Sequence, residues 1–321
     1  MNIQLDQIIA IEIDKILTRA QLSPEMLIMI NSSLNADSKT GELFKWAHLT
    51  LMNCECVSGV SEVALPGAIA MELSALAADI FDDIQDQDND DLPWRQIPTA
   101  NAQNLAICLS MLSIDAATSA LPDGDSRLYR EVDQILSHMW ITASDAQLQE
   151  VLLDTRDQVT LDQYFELVKR KSGSLTACAC KIGATLGGAS ESLVSQLEQF
   201  GTNLGIMSQI RNDLNDFINF EKKRDFVNNR KTLPYVYLLN HLKGKTAEQF
   251  KELTQMEGKG LKGIGKDEEE FLKQLAIDEG VVHYCRVMYE IFREKSIKII
   301  QAIPVPEKRK EKMIKIVKEN V

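Results

Sequence analysis

The stretch DIFDDIQDQDND, residues 79–90, carries six aspartates in twelve positions and follows directly on the apolar run ALPGAIAMELSALAA. If the helix suggested by that run continues to Asp86, then Asp79, Asp82, Asp83 and Asp86 recur every three or four residues and share one face. Like charges at that spacing cost roughly 0.2–0.5 kcal/mol per pair, so the stripe either meets open water or faces cations that neutralise it. About 130 residues later, GTNLGIMSQIRNDLNDF repeats the arrangement, with Asn212, Asp213 and Asp216 on one face after an apolar run. Two short oxygen-rich faces, each ending an apolar helix, can converge across a bundle. They suit magnesium, which keeps several waters and shares its coordination with phosphate oxygens. Cations for a diphosphate are available in Arg95, Lys171, Arg230 and Lys231.

The elements that must position these residues read as helices almost throughout. Apolar residues spaced by three and four recur over 4–19, 43–58, 66–86, 99–120, 127–143, 161–187, 191–221, 232–242, 268–277 and 279–302, with short turns such as LPDGDS and GGASES between them. The expectation is one all-α domain, residues 1–321, of about ten helices. The last stretch, EKRKEKMIKIVKENV, reads as a basic amphipathic helix with a solvated face.

Of the 321 residues 45% are apolar, enough for a sizeable core, and the formal charge of -12 argues against general affinity for nucleic acid or anionic membranes. No run approaches eighteen apolar residues, and the start MNIQLDQIIAIEIDKIL mixes acids with aliphatics as a signal peptide does not, so a cytoplasmic protein without an integral membrane segment is expected. The cysteines, including the C-x-C pairs Cys54/Cys56 and Cys178/Cys180, read as buried free thiols, because a spacing of two points side chains apart on a helix. Other motifs fail on context. Gly258, Gly260 and Gly263 match a dinucleotide fingerprint with no strand before it, and Gly244–Thr246 lacks the upstream glycine of a phosphate loop. The run from Asp86 lacks the glycine and the glutamate of a calcium loop. Nucleophilic catalysis has no visible carrier.

Five segments in order resemble the trans-isoprenyl diphosphate synthase (polyprenyl synthetase) superfamily over roughly residues 40–240. DDIQD is similar to its first motif, D-D-x-x-D, and WRQIPT to the following R-R-G-x-P-T, with Arg95 on the second arginine and Trp94 in place of the first. KRKSGSL resembles K-T-G-x-L, placing Lys171 and Ser172 on the diphosphate-contacting pair. QIRNDLND is similar to Q-I-x-D-D-x-x-D, with Gln209 matching and Asn212 replacing the first aspartate. DFVNNRKTLPYV resembles D-L-x-N-G-K-K-T-L-P-V, with Arg230 and Lys231 on its basic pair.

The resemblance implies a helical bundle of isoprenoid synthase type around a deep apolar cavity. Asp82, Asp83, Asp86, Asn212, Asp213 and Asp216 would hold magnesium, three ions in all, at its mouth, and a homodimer is implied. An allylic isoprenyl diphosphate would ionise there, its leaving group neutralised by metal and by the basic residues. The departures bear on the acceptor. Where chain-elongating members carry basic residues for isopentenyl diphosphate, this chain has TGELFKW, with Glu42 for lysine, Leu43 for arginine and only Lys45 left; their histidine seven positions before the first motif is Ala75. A glutamate in an anion site is repulsive. This pattern resembles the ComQ group, which prenylates a tryptophan of a bacterial signalling peptide, and a peptide acceptor in quorum sensing is the expected partner. Chain elongation is the alternative, because Arg95 matches an arginine used for the acceptor. A terpene cyclase is a weaker one, since Asp216 stands for the serine of its motif and Glu221 falls one residue late. Ala77 and Ala78, five and four residues before the first aspartate, are expected to leave the tunnel open to a longer isoprenyl tail, with Ser74 a turn below.

Overall fold

A computed structural model describes residues 3–36, 43–87, 89–119, 126–218, 230–254 and 266–319. Every regular element among them is helical: α1 (Ile3–Arg19), α2 (Pro24–Leu34), α3 (Lys45–Ser58), α4 (Leu65–Asp86), α5 (Thr99–Ser119), α6 (Ser126–Asp154), α7 (Leu161–Arg170), α8 (Ser172–Leu186), α9 (Glu191–Ile218), α10 (Leu233–His241), α11 (Gly244–Thr254), α12 (Lys266–Asp278), α13 (Val281–Ala302) and α14 (Glu307–Glu319). This is the all-α architecture expected. The helix count exceeds ten for identifiable reasons. The period over 161–187 runs through Lys171, whose ψ of -84° separates α7 from α8. Short α2 is apolar on most sides and shows no clear period; Ser23 caps it, its hydroxyl accepting from the Met26 amide at 3.3 Å. The GKT turn is the first turn of α11.

The described residues group into two compact units. Unit 1 lies within Met1–Met139, Thr176–Gly201 and Ala302–Glu319, and unit 2 within Trp140–Leu175 and Thr202–Gln301.

In unit 1, α4 is the core helix. Residues 67–77 are buried without interruption, because the helix is apolar on all sides and packs against α3 and α5. It is long and apolar enough, with the turn before it, to cross a membrane, yet it is mostly buried within the protein. Two polar residues in this run are satisfied. Ser74 donates to Ser113 on α5 at 2.9 Å, and Glu72 accepts from the amides of Trp46 and Ala47 at 3.0 and 2.9 Å. That carboxylate caps α3, whose own N-cap, Phe44, has no side chain for the purpose. Helix α8 sits against α3 at Gly183, where a Cβ would lie 2.1 Å from the Thr50 carbonyl.

Helix α14 departs from the solvated reading. Met313 and Val317 are fully buried, and Arg309 donates to the Val57 and Cys56 carbonyls at 2.7 and 3.3 Å, closing the C-terminus of α3.

In unit 2, α7 opens on a capping box in which Thr160 and Gln163 satisfy each other's amides. Phe165 packs on Phe292 of α13 at 5.7 Å, and Tyr237 of α10 stacks on Tyr284 at 4.3 Å. Asn240 ties α10 to the chain before α7 through the Val159 carbonyl at 2.7 Å.

The six cysteines are free thiols, five of them buried. Burial pushes the Cys56 thiol up to about 11 and the Cys285 thiol to about 12, so both stay protonated and inert.

Candidate active site

Helix α4 delivers the first acidic group. Asp79, Asp82 and Asp86 are half-buried on its last two turns, whereas Asp83, one position round the helix, is only 8% exposed. Its Oδ1 accepts from Asn89 Nδ2 and its Oδ2 from the indole N–H of Trp94, both at 2.7 Å. Asp82 and Asp86 each offer a carboxylate oxygen within 4.8 Å of the other's. Those two hard oxygen donors fit a divalent cation such as magnesium, while Asp83 is committed to the loop that follows α4.

That loop carries Arg95. Gln87 ends α4 in the left-handed region, Asn89 adopts it too, and a single 3-10 turn, Pro93–Arg95, packs against α2, α4 and α5. Arg95 Nη2 donates to Asp90 at 3.1 Å, while its buried Nε–H meets no acceptor among the described residues.

In unit 2, α9 delivers the second acidic group. Asp213 is 3% exposed. Its Oδ2 accepts from the Tyr164 hydroxyl at 2.6 Å and the Leu233 amide at 2.7 Å, and its Oδ1 from Gln209 Nε2 at 2.7 Å. Ser172 in turn donates to Gln209 Oε1 at 2.6 Å. Burial lifts the Asp213 carboxyl to about 6, against the pull of those three donors. Asn212, the residue before it, is exposed, and Asp216, about one turn after it, is half-buried.

The basic residues of unit 2 are held by acids that no sequence motif announced. Lys171 pairs with Glu150 at 2.5 Å. Asp154, one turn further along α6, accepts from Arg230 at 3.0 Å and from the Lys231 amide at 2.9 Å. Lys231 itself is buried, its ammonium 4.6 Å over the Tyr235 ring, and burial lowers its pKa. The spacing of four between Glu150 and Asp154 was the only available signal.

Of the expected tunnel residues, Ala77 is fully buried and Ala78 half-buried. Only Ala78 therefore keeps surface for a ligand to touch, and the Ser74 layer is closed by its bond to Ser113. At the expected acceptor stretch, Leu43 is half-buried and Lys45 exposed. Glu42, Glu221, Gly258, Gly260 and Gly263 lie outside the described residues.

Comparison with known proteins agrees with this chemistry. Residues 39–267 match the polyprenyl synthetase family. The chain is 27% identical over 276 residues to the tryptophan prenyltransferase ComQ of Bacillus subtilis, covering 86% of this chain and 87% of that one. It is 26% identical over 274 residues to a geranylgeranyl diphosphate synthase of Saccharolobus solfataricus, covering 81% and 80%. A polyprenyl synthetase structure from Streptomyces coelicolor superposes with a TM-score of 0.79 at 23% identity, over 94% of this chain and 93% of that one. Matched over more than half its length, the chain belongs to the polyprenyl synthetase family and is an enzyme of prenyl transfer.

Proposed function

We propose that the chain transfers a geranyl or farnesyl group from its allylic diphosphate to a tryptophan of a bacterial signalling peptide. One observation carries the reading. The cations suited to one diphosphate, Lys171, Arg230 and Lys231, are kept, while positions suited to a second anion hold Glu42, Leu43 and Trp94, and the Trp94 indole is bonded to Asp83. The similarity to ComQ, over 86% of this chain and 87% of that one, supports it.

In this reading Asp82 and Asp86 on α4 are magnesium ligands, and so are Asn212 and Asp216 on α9. Bound there, the metal offsets the negative charge that develops on the departing diphosphate. Asp83 and Asp213 serve as the buried anchors that fix those helix ends. Lys171, Arg230 and Lys231 bind the diphosphate oxygens, with Glu150 and Asp154 setting their direction, and Ser172 and Gln209 orient Asp213. Ala78 borders the isoprenyl tail. A homodimer formed through the exposed Ile107 and Met111 of α5, and a cytoplasmic location, belong to the same proposal.

The experiment supplies magnesium with geranyl or farnesyl diphosphate, adding either isopentenyl diphosphate or a tryptophan-bearing peptide, and identifies the product by mass. Prenylated peptide is the expected product; a lengthened diphosphate in its place overturns the peptide reading. Elongation is the second reading, favoured by Arg95, which retains a buried N–H for a phosphate oxygen.

A further inference from the structure

We infer that Trp94 is a positioning residue for the diphosphate site: its indole N–H holds Asp83, and through Asp83 the loop that presents Arg95. The inference rests on the reading above that a prenyl diphosphate is bound, whichever acceptor follows, and adds Arg95 to the cations that meet phosphate oxygens, with Trp94 behind it.

The ring is 3% exposed, and a buried indole N–H must find an acceptor. It finds a carboxylate at 2.7 Å, a charge-assisted bond of the stronger kind. The opposite oxygen of the same carboxylate holds Asn89. Between Asp83 and Trp94 the chain passes through Gln87 at φ 54° and Asn89 at φ 53°. Left-handed geometry costs about 1–2 kcal/mol per residue for an L-amino acid, so the loop needs holding from outside. The rest of it is closed by local bonds. The Leu92 amide donates to the Asn89 carbonyl at 3.0 Å and the Arg95 amide to the Leu92 carbonyl at 2.9 Å. Gln96 donates to the Asp90 carbonyl, and Arg95 to the Asp90 carboxylate. Arg95 is thus the next residue after an immobilised ring. Its guanidinium is fixed by one acidic partner and has a donor left over. Phosphate oxygens are the ligand chemistry for such a guanidinium.

A ring packed only for its apolar area would be indifferent to Arg95, and a double-mutant cycle exposes the difference. The probe is inorganic pyrophosphate with magnesium, titrated calorimetrically into the purified full-length protein, with a thermal melt of every variant. Trp94→Phe keeps the ring and removes the donor; it is expected to weaken pyrophosphate about tenfold in the unmodified background and by less than twofold in Arg95→Ala. Equal losses in both backgrounds, or unchanged affinity in a folded Trp94→Phe protein, overturn the inference. Should Trp94→Phe fail to fold, Asn89→Ala, at an exposed position on the same carboxylate, carries the cycle with a smaller expected loss that must again vanish in Arg95→Ala. A parent protein that ignores pyrophosphate with magnesium, while melting normally, refutes the diphosphate reading and this inference with it.

Discussion

At the end of α4 the buried acid Asp83 accepts from Asn89 and Trp94, six and eleven residues along the chain. At the end of α9 the buried acid Asp213 accepts from Tyr164 and Leu233, 49 and 20 residues away, and from Gln209 in its own helix. Both ends divide labour in the same way, with one acid turned inward and others left toward the surface. They differ in what the inward acid holds. Asp83 fastens a local loop, so its loss should loosen one arginine. Asp213 fastens α7 and the start of α10 to α9, so its loss should loosen unit 2 itself.

The outward acids test that division most severely. Asp82→Ala, Asp86→Ala and Asp216→Ala should each cut turnover on the order of 10³-fold, since a metal supplies several kcal/mol of charge stabilisation and each tenfold is about 1.4 kcal/mol. Their melting temperatures should hold or rise, because like-charge repulsion at helical spacing is relieved. Diphosphate release assayed beside a thermal melt decides it; a fully active variant would remove that acid from the metal set.

The inward acids should show the reverse emphasis in stability. Asp213→Ala leaves the Tyr164 hydroxyl and the Leu233 amide buried without an acceptor, at about 1–3 kcal/mol each. Asp83→Ala strands the Trp94 N–H alone in the interior, since Asn89 is exposed, and should cost about half as much. Titration separates them further. The Asp213 carboxyl sits at about 6 in the fold against 3.8 for an ordinary aspartate, so the folded state binds its proton more tightly than the unfolded state. The resulting stability is complete below pH 3.8 and is lost as pH rises through about 6. In magnesium-free solution the parent protein should therefore lose roughly 2 kcal/mol relative to Asp213→Asn between about pH 4 and pH 6, out of roughly 3 kcal/mol for the whole titration. Parallel denaturation curves across that range would show that burial does not hold Asp213 protonated.

How much of this the sequence disclosed follows from which interactions are local. The helical period placed α4 and α9 to within a few residues, because their apolar faces are long and continuous. The D-D-x-x-D spacing pointed to Asp82, Asp83 and Asp86 alike. What a period cannot separate is the burial of adjacent residues at a helix end: Asp82 and Asp83 look alike in sequence, and only the Trp94 indole distinguishes them. Glu150 and Asp154 were missed because they act across 21 and 76 residues on Lys171 and Arg230, with no motif around them. For α14, charge suggested a solvated helix, and the partner that buries its apolar face, α3, lies some 250 residues away.

The two helices also differ one or two turns before their acids. Seven, six and three residues before the buried acid, α9 has Ile206, Met207 and Ile210 and α4 has Leu76, Ala77 and Ile80, all buried, so the main difference is Met207 against Ala77, with half-buried Ala78 beside it. Since Ala78 alone keeps accessible surface, Ala78→Phe should shift donor preference toward geranyl over farnesyl diphosphate by about tenfold, a fraction of the roughly 0.8 kcal/mol per methylene that the longer tail gains when buried. Competition between the two donors reads it directly. An unchanged ratio would place the limiting layer away from α4.

The smallest effect concerns how α4 stops. Gln87 closes the helix at φ 54° and ψ 38°, its amide donating to the Asp83 carbonyl. Glycine takes that conformation without a Cβ penalty of about 1–2 kcal/mol, but it also frees the unfolded chain, which returns about 0.4–1 kcal/mol. Gln87→Gly should therefore stabilise by about 0.5–1 kcal/mol, a rise of about 1–2 °C in the melting temperature. The comparison sharpens in the background of Asp83→Ala. If the bonds from Asn89 and Trp94 are what hold the loop in its left-handed turn, relieving Gln87 should recover part of what Asp83→Ala loses, in stability and in pyrophosphate affinity alike. Gains that merely add, with affinity unmoved, would mean that α4 ends by its own backbone preference, and that Asp83 fixes the arginine without helping to shape the turn.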